Sequence, residues 1–420
     1  MLKKRTTFLS LGLLLLGTAC ALADEGGRGG KTLTVGQSGA NCPNAQYTTI
    51  GAAVSAANSG DVVEICPALY AEQLVITKPL TLVGIEVNGV NRVLLQPSLT
   101  VLANLATEAV ITVMNTNGVT IRNLALDASH NTVGSCNPGV AGVQFFNASG
   151  TVENSAIFGA HLMNPLSCTA LPFGNGFGVQ VYAGQFGPFH VSVRHNSIHD
   201  FTANGVQVTG AGVTAEIDAN TISGVGPSSG IFQFGVFIIN GAVAQITNNV
   251  ITEGLCGALA ISDCIDVRSE GVTLRAIGDG TVVDGNIISN AQSGIFINGA
   301  NRLRVTNNQI RNIDAMSGMD IQATASGFFT NSVIDGNGIF NVGPIDQNAS
   351  NNEEGCGINE YSGTGTFSGN EISNNVVNDA YCGVAHVTAD TVQGGIYFNS
   401  LYNVLNSDLY PVAFPPAVEP

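Results

Sequence analysis

The stretch VDGNIISNAQSGIFINGANRLRVTNNQI, Val283 to Ile310, holds the same short pattern at both ends. An apolar residue, two residues of any kind, Asn, any residue, then an apolar residue reads VDGNII at one end and VTNNQI at the other. Between them lies GIFIN, a run alternating apolar and other side chains. Alternation of period two marks a strand with one face buried. No helical spacing connects the copies.

The pattern recurs along the chain as VRHNSI, IDANTI, ITNNVI, VDGNII, VTNNQI, IDGNGI, FSGNEI and IYFNSL. Its asparagines are Asn196, Asn220, Asn249, Asn286, Asn308, Asn337, Asn370 and Asn399, spaced by 24, 29, 37, 22, 29, 33 and 29 residues. The alternating run recurs between them as GVQVT, GVFII, CIDVR, GIFIN, GMDIQ, GCGIN and CGVAHV, preceded by AGVQFF and FGVQVY. A constant motif at variable spacing places insertions in one connection of each repeat, the one before the alternating run. Short strands with a period in the twenties describe a parallel β-solenoid whose coils stack at roughly 4.8 Å. Stacked asparagines then form a ladder in which each amide satisfies the next, because a buried amide without a partner is costly.

At the start of the repeats, TTIGAAVSAANSG offers Thr48 or Thr49 as an N-cap of a small-residue helix covering the open end. VVEIC, QLVI and LTLVG then read as the three strands of the first coil. Upstream, MLKKRTTFLSLGLLLLGTACALADEGG has basic residues, a short apolar run and Ala21-Leu22-Ala23, the form of a secretory signal. Lipidation at Cys20 is disfavoured because Gly17 stands where such signals carry Leu. The organisation read from sequence is a signal over 1–23, a linker over 24–31, the solenoid over 32–406 and a proline-rich tail over 407–420.

The opening YTTIGAAVSAANSGDVVEICPALYAEQLVITKPLTLVG, with VTIRNLALD at Val119 to Asp127, resembles right-handed parallel β-helix proteins of the pectin-lyase-like superfamily. It is most like the openings of pectin methylesterases and periplasmic β-helix repeat proteins. The resemblance implies an all-β, single-stranded right-handed parallel β-helix with an N-terminal capping helix. It implies no reaction. The methylesterase segments QDTL, DFIFG and LGRPW are absent, as are GHG and RIK of polygalacturonases, WIDH of pectate lyases and DPHD of alginate epimerases. Fold alone does not carry an active site.

Composition narrows the partners. The precursor's net charge is −16, and loss of the signal with Lys3, Lys4 and Arg5 leaves 11 basic and 30 acidic residues. Such a surface repels nucleic acid and anionic membranes, and disfavours polyanionic glycans unless a divalent cation bridges the two. After Cys20 the cysteines fall into neighbouring couples. The simplest pairing is Cys42–Cys66, Cys136–Cys168, Cys256–Cys264 and Cys356–Cys382, although sequence alone does not fix connectivity. No zinc spacing is present, so these are staples suited to an oxidising compartment: periplasm, cell surface or the extracellular medium.

The alternating runs also define a face. One outward column reads Gln144, Gln180, Gln207, Phe237, Asp266, Phe296, Asp320, Gly357 and Ala385, and the next reads Phe146, Tyr182, Thr209, Ile239, Arg268, Asn298, Gln322 and Asn359. Amides, aromatic rings and carboxylates beside an arginine make a saccharide-binding stripe. Gln144, Gln180, Tyr182, Gln207, Phe237, Phe296, Asn298 and Gln322 are the expected sugar contacts.

Contact with extracellular or envelope polysaccharide without catalysis is the leading reading. In the catalytic alternative, Asp266 and Asp320, two rungs or roughly 9–10 Å apart, serve as the carboxyl pair of an inverting glycoside hydrolase, whose spacing is about 6.5–9.5 Å. Or they hold calcium while Arg268 acts as the base of a lyase. A third reading makes the face purely structural or adhesive. Glu353, Glu354 and Glu360 read as a solvated loop. His195 and His199 flank the Asn turn in columns that repeat no ligand, and read as passengers.

Overall fold

In a computed structural model, residues 30–37, 42–87, 90–91, 93–98, 107–131, 139–161, 175–185, 187–226, 232–254, 269–323, 327–343, 355–362, 365–387, 394–397 and 399–406 are described. Each coil contributes three short strands. In one of them these are Val282–Asp284, Ile287–Ala291 and Ser293–Asn298, after which the chain returns to the first-strand position at Arg304–Thr306. Equivalent strands of successive coils pair in parallel, Val283 with Val305 and Ile288 with Ile310, for example. Among the described residues the first strands form one sheet of thirteen, from Thr32–Val35 to Gly394–Tyr397. This is a right-handed parallel β-helix. Apolar side chains from all three strands fill its axis, Val283, Ile288, Ile295 and Ile297 among them, each fully buried.

The corner between first and second strands is held by the asparagines. Asn286 Oδ1 accepts from both the backbone N–H and Nδ2 of Asn249 (2.9 Å each), while its own Nδ2 donates to Ile246 O (2.8 Å) and Asn308 Oδ1 (2.9 Å). The same exchange links Asn196, Asn220, Asn249, Asn286, Asn308 and Asn337. Above Asn337, however, the next rung is Asn375, followed by Asn399. Asn370 belongs elsewhere. It accepts from Ser332 N at 3.1 Å and donates to Phe329 O, at the corner entering the first sheet. FSGNEI fits the motif by composition, but ISNNVV, Ile372 to Val377, is the stretch that fills the ladder.

The residue before each ladder asparagine from Asn196 to Asn375 takes left-handed backbone, including His195 at φ 56°, Asn248 at 56°, Gly285 at 66° and Asn307 at 55°. His195 thus serves the turn. His199 stacks on Phe158 of the preceding coil, with centroids 5.1 Å apart and planes 1° apart.

At the amino end the helix Ile50–Ala56 buries Ile50, Ala53 and Val54. Thr49 is its N-cap, accepting from Ala52 N at 3.3 Å. Both carboxylate oxygens of Glu72 accept from the helix start, from Ile50 N and Gly51 N at 2.8 Å each, and Lys78 Nζ donates to Ala57 O at its end (2.6 Å). These charges match the helix dipole and account for the acid in PALYAEQ and the lysine in TKPLTLVG. The first coil is Asp61–Ile65, Ala68–Tyr70 and Leu74–Ile76. Leu80–Gly84 opens the next coil, because it pairs with Asp61–Ile65 rather than following within the same turn.

Bridges Cys42–Cys66 and Cys356–Cys382 are present, the latter joining partners on adjacent rungs. Cys136, Cys168, Cys256 and Cys264 lie outside the described residues. Among the described residues, no helix is long and apolar enough to cross a membrane.

One core group is out of keeping with its surroundings. Glu253 is buried, and neither carboxyl oxygen has a hydrogen-bond partner. It lies where Gly224 and Gly235 carry no side chain: a Cβ on Gly224 would fall 2.4 Å from Oε2 and one on Gly235 2.8 Å from Oε1. Burial pushes this carboxyl well above the usual carboxylate range.

Two outcomes follow from these packing features. Asn286→Ala leaves two buried donors of Asn249 without their acceptor, so stability should fall by about 2–4 kcal/mol in urea unfolding; a loss below about 0.5 kcal/mol, the scale of surface substitutions, would contradict the ladder's role. Burial favours the protonated form of Glu253 in the folded chain, whereas the unfolded chain ionises above its ordinary value of 4.5. The unfolded state therefore binds fewer protons, and stability falls as pH rises past that value. Glu253→Gln should melt higher than wild type at pH 7–8, as followed by circular dichroism, with the gap closing near pH 4. Parallel melting profiles across that range would contradict the assignment.

Candidate functional site

The third strands are bent rather than straight. In a flat strand, side chains three residues apart point to opposite faces. Here they meet: Asn204 Nδ2 donates to Gln207 Oε1 (3.1 Å), Phe234 and Phe237 have ring centroids 4.9 Å apart, and Thr273 Oγ1 donates to Glu270 Oε2 (2.5 Å). A glycine between the partners makes the bend. An ideal Cβ on Gly205 would lie 2.5 Å from Ile222 Cγ2, and on Gly271 2.3 Å from Ile288 Cγ2, so the next coil's isoleucine allows no side chain at the corner. The repeat is thus one residue longer than GVQV suggests. It reads AGVQ at Ala141, FGVQ at Phe177, NGVQ at Asn204, FGVF at Phe234, EGVT at Glu270, SGIF at Ser293, SGMD at Ser317, CGIN at Cys356 and CGVA at Cys382. Stacked, these form a concave elbow running along the solenoid.

Strand pairing fixes its columns. Gln144, Gln180, Gln207 and Phe237 stand in register, as expected. The rung above Phe237 is Thr273, followed by Phe296 and Asp320, and the rung above Ile239 is Arg275, followed by Asn298 and Gln322. Asp266 and Arg268 were expected on those rungs. Both lie outside the described residues, and Thr273 and Arg275 fill the places assigned to them. Asp320 pairs with Asn359 where Gly357 was expected, and Gln322 pairs with Tyr361 where Asn359 was expected. The signal was in the sequence: Gly271 precedes Asn286 by the usual 15 residues, whereas Cys264 precedes it by 22.

The inner column is covered throughout. Phe177, Asn204, Phe234, Glu270, Ser293, Ser317 and Cys356 are buried, and so are Gln144, Phe237, Thr273, Phe296 and Asp320 in the column facing them. Gln180 and Gln207 are half-buried. Exposure begins one column further out, where Phe146 and Tyr182 stack at 5.6 Å with 20° between planes and Tyr182 is 42% exposed. Amides and hydroxyls lie on the same and neighbouring strands: Gln144 Nε2 and Thr107 Oγ1 both donate to Gln180 Oε1, at 2.8 and 3.0 Å, and Gln207 Nε2 donates to Thr209 Oγ1 at 3.0 Å. Thr112 Oγ1, Gln144 Oε1 and Asn204 Oδ1 remain without hydrogen-bond partners.

Toward the carboxyl end the chemistry changes. Arg275 lies over the Phe296 ring, 4.6 Å from its centroid. Asp320 accepts from Gln322 Nε2 (2.9 Å) and Asn359 Nδ2 (3.4 Å). Glu360 is buried on a strand rather than solvated in a loop, while Glu353 and Glu354 lie outside the described residues. Among the described residues no three His, Cys, Asp or Glu side chains gather as they would around a metal ion. The elbow therefore offers an aromatic platform with amide and hydroxyl groups at its amino half, and amide-bound charge at its carboxyl half.

Solved structures with this architecture include the A-module of a mannuronan C-5 epimerase from Azotobacter vinelandii, with TM-score 0.55 and 13% identity over 84% of this chain and 90% of that one. A tailspike of the Acinetobacter baumannii bacteriophage Fri1, a capsular polysaccharide depolymerase, gives TM-score 0.56 and 13% identity, covering 84% of this chain and 58% of the tailspike. A lacto-N-biosidase from Eubacterium ramulus gives 0.50 and 13%, covering 89% of this chain and 68% of that one. At such identities the likeness is one of fold. No curated protein matches the sequence. The family model described as the right-handed beta helix region matches residues 177–408, more than half of the chain, and with the coil geometry above this makes the protein a member of the right-handed parallel β-helix family.

Proposed function

We propose that this protein binds polysaccharide along the elbow of its third strands without transforming it. The observation that carries the reading is the stacked Phe146–Tyr182 pair. It presents an exposed ring beside a continuous set of amides and hydroxyls. Sugar rings bring apolar C–H faces and a rim of hydroxyls, and an amphipathic platform of this kind meets both. An elbow repeated at every coil also suits a polymer better than a small ligand, since successive rungs offer successive contacts roughly 4.8 Å apart.

Binding is favoured over catalysis by the state of Asp320. Its two oxygens take amide hydrogen bonds from Gln322 and Asn359, which orient the carboxylate within the fold. The hydrolase and calcium-assisted lyase alternatives draw on Asp266 and Arg268 as well as Asp320. The mannuronan epimerase, the capsular polysaccharide depolymerase and the lacto-N-biosidase on the same fold all act on glycans, which supports a glycan partner here. The two disulfides suit an exported protein.

Tyr182→Ala should weaken binding to a retained polysaccharide by at least about tenfold, roughly 1.4 kcal/mol, in affinity electrophoresis or calorimetry, and leave the melting temperature within a few degrees. Incubation with the same polysaccharide should release no new oligosaccharides by mass spectrometry. Release of products, abolished by Asp320→Asn, would establish the catalytic alternative instead.

A further inference from the structure

Charge is distributed unevenly along the elbow. The third strands Gly139–Phe146, Gly176–Tyr182, Asn204–Thr209 and Gln233–Ile239 contain no charged residue. Neither do the connections that enter and leave them: residues 128–138, 161–175, 202–203 and 224–232 on one side, and 147–149, 183–188, 210–212 and 240–242 on the other. From Ala128 to Phe189 the only charged residue is Glu153, in a chain of which 10% is charged. Glu153 stands on a first strand, where Arg194 Nε meets its Oε2 at 2.8 Å. Among the described residues, the rung below Gly139–Phe146 carries the buried Glu108, and beyond Phe237 charge enters with Glu270 and Arg275 and returns at Asp320.

We propose that the glycan seated on the amino half of the elbow, between the rungs of Gln144 and Phe237, is an uncharged one. The inference rests on the glycan-contact reading above and specifies its ligand. A uronate or sulfated polymer repeats a negative charge at every sugar or two, and its recognition calls for Arg or Lys forks or for a bridging cation. These rungs supply neither, and a chain of net charge −16 adds long-range repulsion. What the rungs do supply matches neutral sugar. Gln180 and Gln207 are half-buried neutral amides, groups that both donate to and accept from hydroxyls. The exposed Tyr182 ring offers a face to a pyranose. The acids farther along leave this half untouched, since Glu270 is engaged by Thr273 and Asp320 by amides. The three neighbours share the coil but carry their own loops and side chains at 13% identity, so their ligands set no constraint on this surface.

The test is calorimetric titration of the full chain with neutral polymers (dextran, mannan and mixed-linkage β-glucan) and anionic ones (polygalacturonate and alginate). Each is measured at about 10 mM and about 1 M NaCl, where the screening length falls from about 30 Å to about 3 Å. The expected result is binding to at least one neutral polymer, changed less than about twofold by salt and lost in Tyr182→Ala. Gln207→Ala serves as the second variant should Tyr182→Ala fail to fold. Binding confined to anionic polymers, weakened by either variant, would overturn neutrality while keeping the glycan contact. Binding to neither class would overturn the contact reading and this inference together.

Discussion

The buried amide sets the geometry of the whole molecule. From Asn220 to Asn399, at each turn from first to second strand, one asparagine oxygen accepts two hydrogen bonds from the coil before, and its nitrogen donates in turn. Shifting a coil by one residue would leave these donors and acceptors unmatched in a dry interior and turn every strand's apolar set outward. The ladder therefore fixes register, and register fixes which side chains share a column. Insertions are absorbed between the second and third strands, where neither ladder nor core constrains length. Residues 132–138, 162–174, 227–231, 255–268 and 344–354 all fall in that connection.

The elbow is a consequence of the same stacking. Each ladder asparagine is followed, two residues on, by an inward isoleucine, valine or leucine, and that side chain occupies the space where the third strand of the neighbouring coil must turn. Glycine is the residue that fits, and bending there brings the side chain before it against the one three residues later. A uniform packing rule thus produces a continuous concave surface whose chemistry varies from rung to rung. Packing fixes the glycines and leaves their neighbours open to change. Amides and aromatic rings occupy the amino half, acids and an arginine the carboxyl half, and the Cys356–Cys382 bridge closes the series.

The fold, the capping helix and seven of the ladder positions were legible because each follows from a repeated local pattern. Asn370 was misleading because two corners of a coil use the same chemistry: an asparagine whose side-chain oxygen accepts a backbone N–H. Only strand pairing tells them apart. Asp266 and Arg268 were expected on rungs that Thr273 and Arg275 occupy. CIDVR alternates as EGVTLR does, and alternation alone cannot select between two candidate runs. Distance to the next ladder asparagine could have done so, since EGVT keeps the usual spacing and CIDVR does not. The elbow itself was missed because inward and outward positions were assigned by strict alternation, which fails at a bend. Glu253 gave no sequence signal, as its burial depends on two glycines from other parts of the chain, Gly224 and Gly235.

Hydrogen–deuterium exchange of the full chain with and without saturating neutral polysaccharide would locate the contact directly. Binding along the amino half of the elbow predicts added protection in 139–146, 176–185 and 204–209, with little change in 269–275, 319–323 and the first-strand sheet. Protection centred on 269–275 and 319–323, or spread over the first strands, would contradict it and move the ligand to the charged half or to another face.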